Sequence, residues 1–328
     1  MSSDKVRAWS GTRGTMTDTA SKGGAAAGVL RGILLMMLSV FLFSSMDAMI
    51  KWATRDYPTG QIVFFRNALA FVPVLLFFWR GGSAMTLRTR RLGGHLIRGI
   101  VGVASMFFFF LAFGLLPLAD TIALGMSGPI FLTALSVPLL GERVGIRRWS
   151  AVLMGFAGVL VMVRPGSGVF ELKALTALAG AFFYALAMVS IRRLARSEPA
   201  GTIVFYFTLF AMIAGLLSLP LAAVAPDWIA PWVWPDASGW MILIAIGLLG
   251  GTAQLTLTYA FKLAPVAVIA PFEYGSLLFG VVFGFLIWRE VPDRYILLGA
   301  VLVVASGLYI LYRETKLRRQ PREVEPPV

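Results

Sequence analysis

The chain has 328 residues; 58% are hydrophobic, only 14% are charged, and the net charge is +13. A soluble domain carries about 25% charged residues, so the composition excludes a soluble enzyme, a nucleic-acid-binding module and a disordered scaffold, and selects a fold whose solvent is lipid. Cysteine is absent and His95 is the single histidine, which leaves no disulfide, no thiolate chemistry and no ligand set for a His-based metal site.

Residues 1–28 are polar, rich in Ser, Thr, Gly and Ala, and lack the apolar stretch of a secretory signal. They are expected to form a disordered cytoplasmic tail. Ten apolar segments follow, near 30–50, 60–79, 95–116, 121–140, 147–164, 174–193, 202–224, 240–261, 266–288 and 294–312. Each approaches the roughly 20 residues that a spanning helix needs. A second tail covers 315–328. The longest linker, 225–239, holds Pro226, Pro231 and Pro235 with Trp228, Trp232 and Trp234. Tryptophan at segment ends suits the lipid headgroup level.

The expected class is an all-α membrane protein with ten spans and both termini on one side. Its 29 Lys and Arg residues test this. On the far side lie only Lys51, Arg55, Arg164, Lys173, Arg289 and Arg294, and Arg66 sits within the second segment. All the others gather on the side of the termini, which makes that side cytoplasmic. The net charge therefore reports topology, and no nucleic-acid partner is needed to explain it.

The halves resemble each other. FLFSSMDAMIKWA (41–53) matches FFYALAMVSIRRLA (182–195), with Lys51 opposite Arg192; VPLLGERVGIRRW (137–149) matches FLIWREVPDRYIL (285–297), with Glu142 opposite Glu290. Five spans per half would make the second copy enter from the opposite face, giving an inverted repeat. The expected boundaries are 29–165 and 166–314.

These pieces carry a resemblance to a known family: SSMDAMIKWA, QIVFFRNALAF (61–71), SGPIFLTALSVPLLGERVGIRRWSAVLMGFAGVLVMVRP (127–165) and APFEYGSLLFGVVFGFLIWREVPDRYILLGAVLVVASGLYILYRE (270–314). They resemble the EamA family of the drug/metabolite transporter superfamily over residues 30–314. The Asp-Ala-Met-Ile-Lys and Gln-Ile-Val-Phe-Phe-Arg stretches look most like the branch with S-adenosylmethionine uptake carriers. The resemblance implies ten helices, two inverted five-helix repeats, a central cavity, and fifth and tenth helices that act as scaffold or homodimer contacts.

Ionisable groups inside a span default to function. Asp47 and Lys51 lie one turn apart and share a helix face. Either they neutralise each other near the interface, with Lys51 snorkelling, or Asp47 binds a proton or a substrate ammonium or sulfonium. Glu273 lies inside the ninth segment, beside Tyr274; it either pairs with Arg66 or Arg98 or serves as a substrate or proton carboxylate. Arg66 either neutralises one of these acids or grips a carboxylate or phosphate. Tyr184 and Gln254 are polar groups that suit a cavity wall. Glu142 and Glu290, at span ends among arginines, are expected to fix turns or act as gates. Pro129 and Pro271 are expected to break their helices, at a hinge or a plain packing kink. The Phe107–Phe110 run covers every helix face, so at most one or two of its rings can meet a substrate.

No ATP-binding loop, H-E-x-x-H or G-x-S-x-G motif is present, so no enzyme activity or cofactor is expected. The function expected is secondary transport of a small organic metabolite, amino-acid-like or S-adenosylmethionine-like, by alternating access in a bacterial inner membrane. The alternatives are export of drugs or amino acids and, less favoured, an integral membrane enzyme acting on lipid.

Overall fold

The computed structural model describes residues 11–79, 89–141, 145–164, 170–224, 230–264 and 266–319. Among these residues every regular element is helical. The helices are α1 (Gly11–Ala53), α2 (Thr59–Trp79), α3 (Leu92–Leu115), α4 (Leu118–Gly125), α5 (Gly128–Leu140), α6 (Ile146–Val163), α7 (Phe170–Leu194), α8 (Ala200–Val224), α9 (Ala237–Leu263), α10 (Val266–Ile269), α11 (Gly275–Trp288) and α12 (Arg294–Arg319), with a 3₁₀ turn at Ala270–Tyr274 before α11. A backbone in lipid must bond to itself, which is why long apolar runs become helices and nothing else.

Among the described residues, eight stretches are long and apolar enough to cross a membrane: Gly28–Ala53, Thr59–Leu76, Leu92–Leu115, Leu118–Leu140, Leu172–Leu194, Gly201–Val224, Ala237–Phe261 and Pro271–Trp288. The fifth and tenth expected segments fall on shorter apolar helices, Trp149–Val163 and Arg294–Ile310. The chain is a multi-pass membrane protein. The tail expected to be disordered differs in its described part: α1 already begins at Gly11, and its apolar portion starts at Gly28. Ala25, Ala26 and Ala27 favour helix and extend the turns that the span nucleates.

Two expected spans are not continuous. The fourth breaks between α4 and α5 at Met126 and Ser127, and the ninth consists of α10, the 3₁₀ turn and α11. Pro129 sits at the start of α5 and Pro271 at the start of the 3₁₀ turn.

The packing map shows how the halves combine. Helix α1 lies on α9 and α11, α2 on α8 and α9, α3 on α7 and α8, α5 on α7, α4 on α11, and α6 on α12. Each of these contacts joins the first half of the chain to the second. Exchanging the halves span for span returns nearly the same map: α1–α9 becomes α7–α3, α1–α11 becomes α7–α5, and α6–α12 maps onto itself. Serine hydroxyls seal two of the matched contacts. Ser39 donates to the Ala253 carbonyl at 2.9 Å, joining α1 to α9, and Ser105 donates to Gly180 at 2.9 Å, joining α3 to α7.

Glycines permit the closest approaches. Gly247 and Gly251 of α9 sit against Leu69 and Pro73 of α2, so that GxxxG spacing is a true packing face. Helices α6 and α12 meet backbone to backbone at Gly158 and Gly299, and Ser306 donates to the Ala151 carbonyl at 2.6 Å. A Cβ added at Gly299 would lie 2.3 Å from Met162 Cγ and 2.5 Å from the Gly158 oxygen. Gly299→Ala should therefore cost roughly 1–3 kcal/mol through overpacking, read as a lower thermal midpoint of the detergent-purified protein. Gly93→Ala, whose Cβ meets nothing within 4 Å, should leave the midpoint unchanged.

Candidate functional site

The two broken spans hold matching features. Helices α5 and α11 begin at nearly the same distance before Glu142 and Glu290 in sequence, and end on residues with left-handed backbones, Gly141 (φ 67°) and Arg289 (φ 60°). At each break a serine answers a carbonyl three residues back: Ser127 donates to Leu124 at 2.7 Å, and Ser276 to Glu273 at 2.8 Å. Interrupted spans at corresponding places of two halves mark where transporters build their sites.

Between these breaks lies a cluster of charged and phenolic side chains. Asp47 of α1 has the Arg66 guanidinium of α2 as its charged neighbour. Arg66 also donates through Nη1 to Asn67 at 3.0 Å, while its buried Nε has no partner among the described residues. Arg98 of α3 lies within electrostatic reach of Arg66 and of Tyr184 on α7. Glu273, in the 3₁₀ turn, faces Tyr184 and Tyr274. Among the described residues no ion pair joins Glu273 to Arg66 or Arg98, so the pairing considered for Glu273 does not form.

A cavity of about 60 Å³ opens beside the cluster. Arg66, Arg98, Phe207, Thr208 and Gln254 line it, with Gly250 and Gly251 making room. Gln254 is one of the residues that line it. Tyr274 is placed otherwise: its hydroxyl abuts Gly307 of α12, which is not part of this cavity wall. The phenylalanine run is used for packing. Phe108 stacks on Phe183 at 5.6 Å, Phe109 fills the space left by Gly180 and Gly125, and Phe110 is buried.

Lys51 does not pair with Asp47. Its Nζ sits 2.8 Å from Glu290 Oε1 and donates to the Leu116 carbonyl at 2.6 Å. The other Glu290 oxygen accepts from the Leu118 N–H at 2.9 Å, at the positive end of α4. Trp288 covers the ammonium, 5.3 Å from its ring centre. Glu290 therefore bonds across the halves, and not to the arginines beside it in sequence. Arg164 and Asp293 form a second cross-half pair at this end, at 2.7 Å. Glu142 lies outside the described residues.

Three charged or polar residues to which the sequence analysis gave no site role of their own are buried. Arg98 reads in sequence as one more basic residue near a span end, yet it is only 8% exposed. Asp120, in the first turn of α4, is buried among Lys51, Arg164, Glu290 and Asp293. At the opposite end of the bundle, His95 stacks on Tyr206 at 4.6 Å and lies 3.8 Å from Glu198, which accepts from Thr89 at 2.8 Å. The only sequence signal for Asp120 was its position just after Pro117, at a helix start that favours acids.

The profile of the EamA-like transporter family matches residues 30–164 and 172–312. The chain belongs to this family. It is similar to the pseudopaline exporter of Pseudomonas aeruginosa, 33% identical over 84% of this chain and 94% of the exporter. It is also similar to the riboflavin transporter of Vibrio cholerae, 29% identical over 90% of this chain and 97% of that protein. An S-adenosylmethionine uptake transporter of Rickettsia felis is 26% identical over 90% of this chain and 97% of its own length. One solved crystal structure superposes with a TM-score of 0.57 at 22% identity, covering 87% of this chain and 98% of that chain, which bears on the fold alone. The relatives are metabolite transporters of the drug/metabolite transporter superfamily and not enzymes.

The two EamA matches divide the chain between 164 and 172. Lys51–Glu290 and Arg164–Asp293 are therefore both contacts between EamA repeats. Lys51 is 10% exposed and Glu290 22%, and removing one partner leaves the other polar group underbonded. Lys51→Met and Glu290→Gln should each cost roughly 1–3 kcal/mol, and the double variant should cost clearly less than their sum. Thermal unfolding of the four proteins measures this; additive losses would mean that the pair does not hold this end together.

Proposed function

We propose that this chain is a secondary transporter that carries a small organic metabolite, amino-acid-like or S-adenosylmethionine-like, by alternating access between two inverted EamA repeats of five spans each. The single observation that carries this reading is the pair of matched helix breaks with a carboxylate, Glu273, inside one of them that has no ion pair among the described residues. A lone acid at that depth costs about 2.5–3.5 kcal/mol or more to insert. Binding a substrate ammonium or sulfonium, or a proton, gives it a reason to stay. Asp47, Arg66, Tyr184 and Gln254 would complete the site, and Tyr274 would position Glu273 from the α12 side.

In this reading the Lys51 end faces outward and both termini are cytoplasmic, as the distribution of Lys and Arg suggests. The Lys51–Glu290–Leu118 contacts would then be the closed outer gate, and the cavity of about 60 Å³ would be the remnant of a site that is shut. Metabolite sites occupy about 300–1,000 Å³, so the helices must part to load cargo. Pro129 and Pro271 would mark where they bend. A homodimer through α6 and α12 fits their pairing at the edge of the bundle.

Export is a second reading, favoured by the likeness to an exporter at 33% identity. Proteoliposomes with S-adenosylmethionine, riboflavin or amino acids inside and labelled outside test both directions. Glu273→Gln should cut exchange about tenfold or more, the loss of roughly 1.4 kcal/mol of binding, with an unchanged thermal midpoint. Wild-type exchange in this variant would remove Glu273 from the mechanism. Resistance of overexpressing cells to toxic analogues would favour export.

A further inference from the structure

The two arginines of the central cluster are unequal in their hydrogen bonding. Arg66 lies within electrostatic reach of Asp47 and donates to Asn67. Arg98 has no such commitment. Its Nε and Nη1 are buried with no hydrogen-bond partner among the described residues, and no ion pair reaches it there. A buried guanidinium without an anion is among the most costly groups a membrane helix can carry.

Its position is nevertheless built. The guanidinium carbon lies over Phe207, 4.1 Å from the ring centre, and cation–π attraction holds it there. Gly102, one turn further along α3, leaves the space it occupies: a Cβ there would sit 2.0 Å from Arg98 Nη1 and 2.6 Å from Phe207 Cε2. Arg98, Phe207, Thr208 and Gln254 all border the same cavity. A void of about 60 Å³ suits one functional group and not a whole molecule. Glu273, of opposite sign and without an ion pair among the described residues, shares with Arg98 an electrostatic influence on Tyr184.

We propose that Arg98 is the anion anchor of the transport site, taking a carboxylate or phosphate group of the cargo in the cavity between α2, α3, α8 and α9. This rests on the transporter reading and adds to it: the cargo must carry an anionic group, and Arg98, not Arg66, recognises it. A planar guanidinium held on a ring presents a fixed fork to a carboxylate or phosphate. Glu273 then faces the cationic centre of the same molecule.

The test uses the full chain in nanodiscs and matched ligand pairs that differ in the anionic group. L-Methionine against L-methioninamide, and S-adenosylmethionine against its decarboxylated form, probe carboxylate recognition; riboflavin 5′-phosphate against riboflavin probes phosphate. Wild type should bind at least one anionic member about tenfold or more tighter than its partner. Arg98→Gln should remove that preference and Arg98→Lys retain part of it. Gly102→Ala, which displaces the side chain without removing its charge, should weaken the preference with the protein still folded by its thermal midpoint. Lower stability with the preference intact would make Arg98 merely structural and overturn the inference, as would failure of every anionic member to bind. Proteoliposome exchange of the same probes separates the two levels. An Arg98-dependent preference without exchange leaves the anchor standing and refutes transport; exchange without anionic preference refutes the anchor alone.

Discussion

Lipid offers no hydrogen bonds and little solvation for charge, so everything polar inside this protein must be answered by the protein itself. Most of the chain meets that demand with unbroken apolar helices. The exceptions are few and organised. Two spans are interrupted, and at each interruption a serine, Ser127 or Ser276, takes up a nearby carbonyl. Four charged side chains sit between the interruptions. The chain tolerates broken backbone and buried charge only where neighbouring helices shield them.

The same constraint accounts for the interleaving of the halves. The major helix contacts run from one EamA repeat to the other, so the repeats are packed into each other along most of their length. A bundle made this way can open at one end only by breaking contacts between repeats. At the Lys51 end those contacts are ionic and directional, through Glu290, Leu116, Leu118, Arg164 and Asp293. At the other end they include Glu198 with Thr89 and His95. Polar contacts thus close both ends of the bundle, around an apolar middle with a few charges.

How much of this was legible in the sequence depends on the range of the interaction. The all-helical membrane fold and the two-repeat architecture were legible from local composition and internal similarity, and eight of the expected spans are long and apolar enough to cross among the described residues. The partner of Lys51 was not legible. Helical spacing pointed to Asp47, one turn away, whereas the lysine reaches Glu290 in the other repeat. A local rule names a possible neighbour, and it cannot weigh that neighbour against a group brought in by folding. Glu290 wins by offering a carboxylate already tied to the N-terminus of α4.

Composition and periodicity by themselves determined that the protein lives in a membrane and that Asp47, Arg66 and Glu273 lie inside apolar segments. Those properties depend on residue type and on position along one helix. Only the tertiary structure decided which charges are compensated. It put Arg66 within electrostatic reach of Asp47, left Glu273 and Arg98 without ion pairs among the described residues, buried Asp120, and turned the Tyr274 hydroxyl to Gly307. The physical reason is that a charge near a span end costs little while it can reach water and much once another helix covers it. Whether Arg98 is a topological marker or a buried guanidinium is set by Phe207 and Gly102 closing over it, and Phe207 comes from the other repeat.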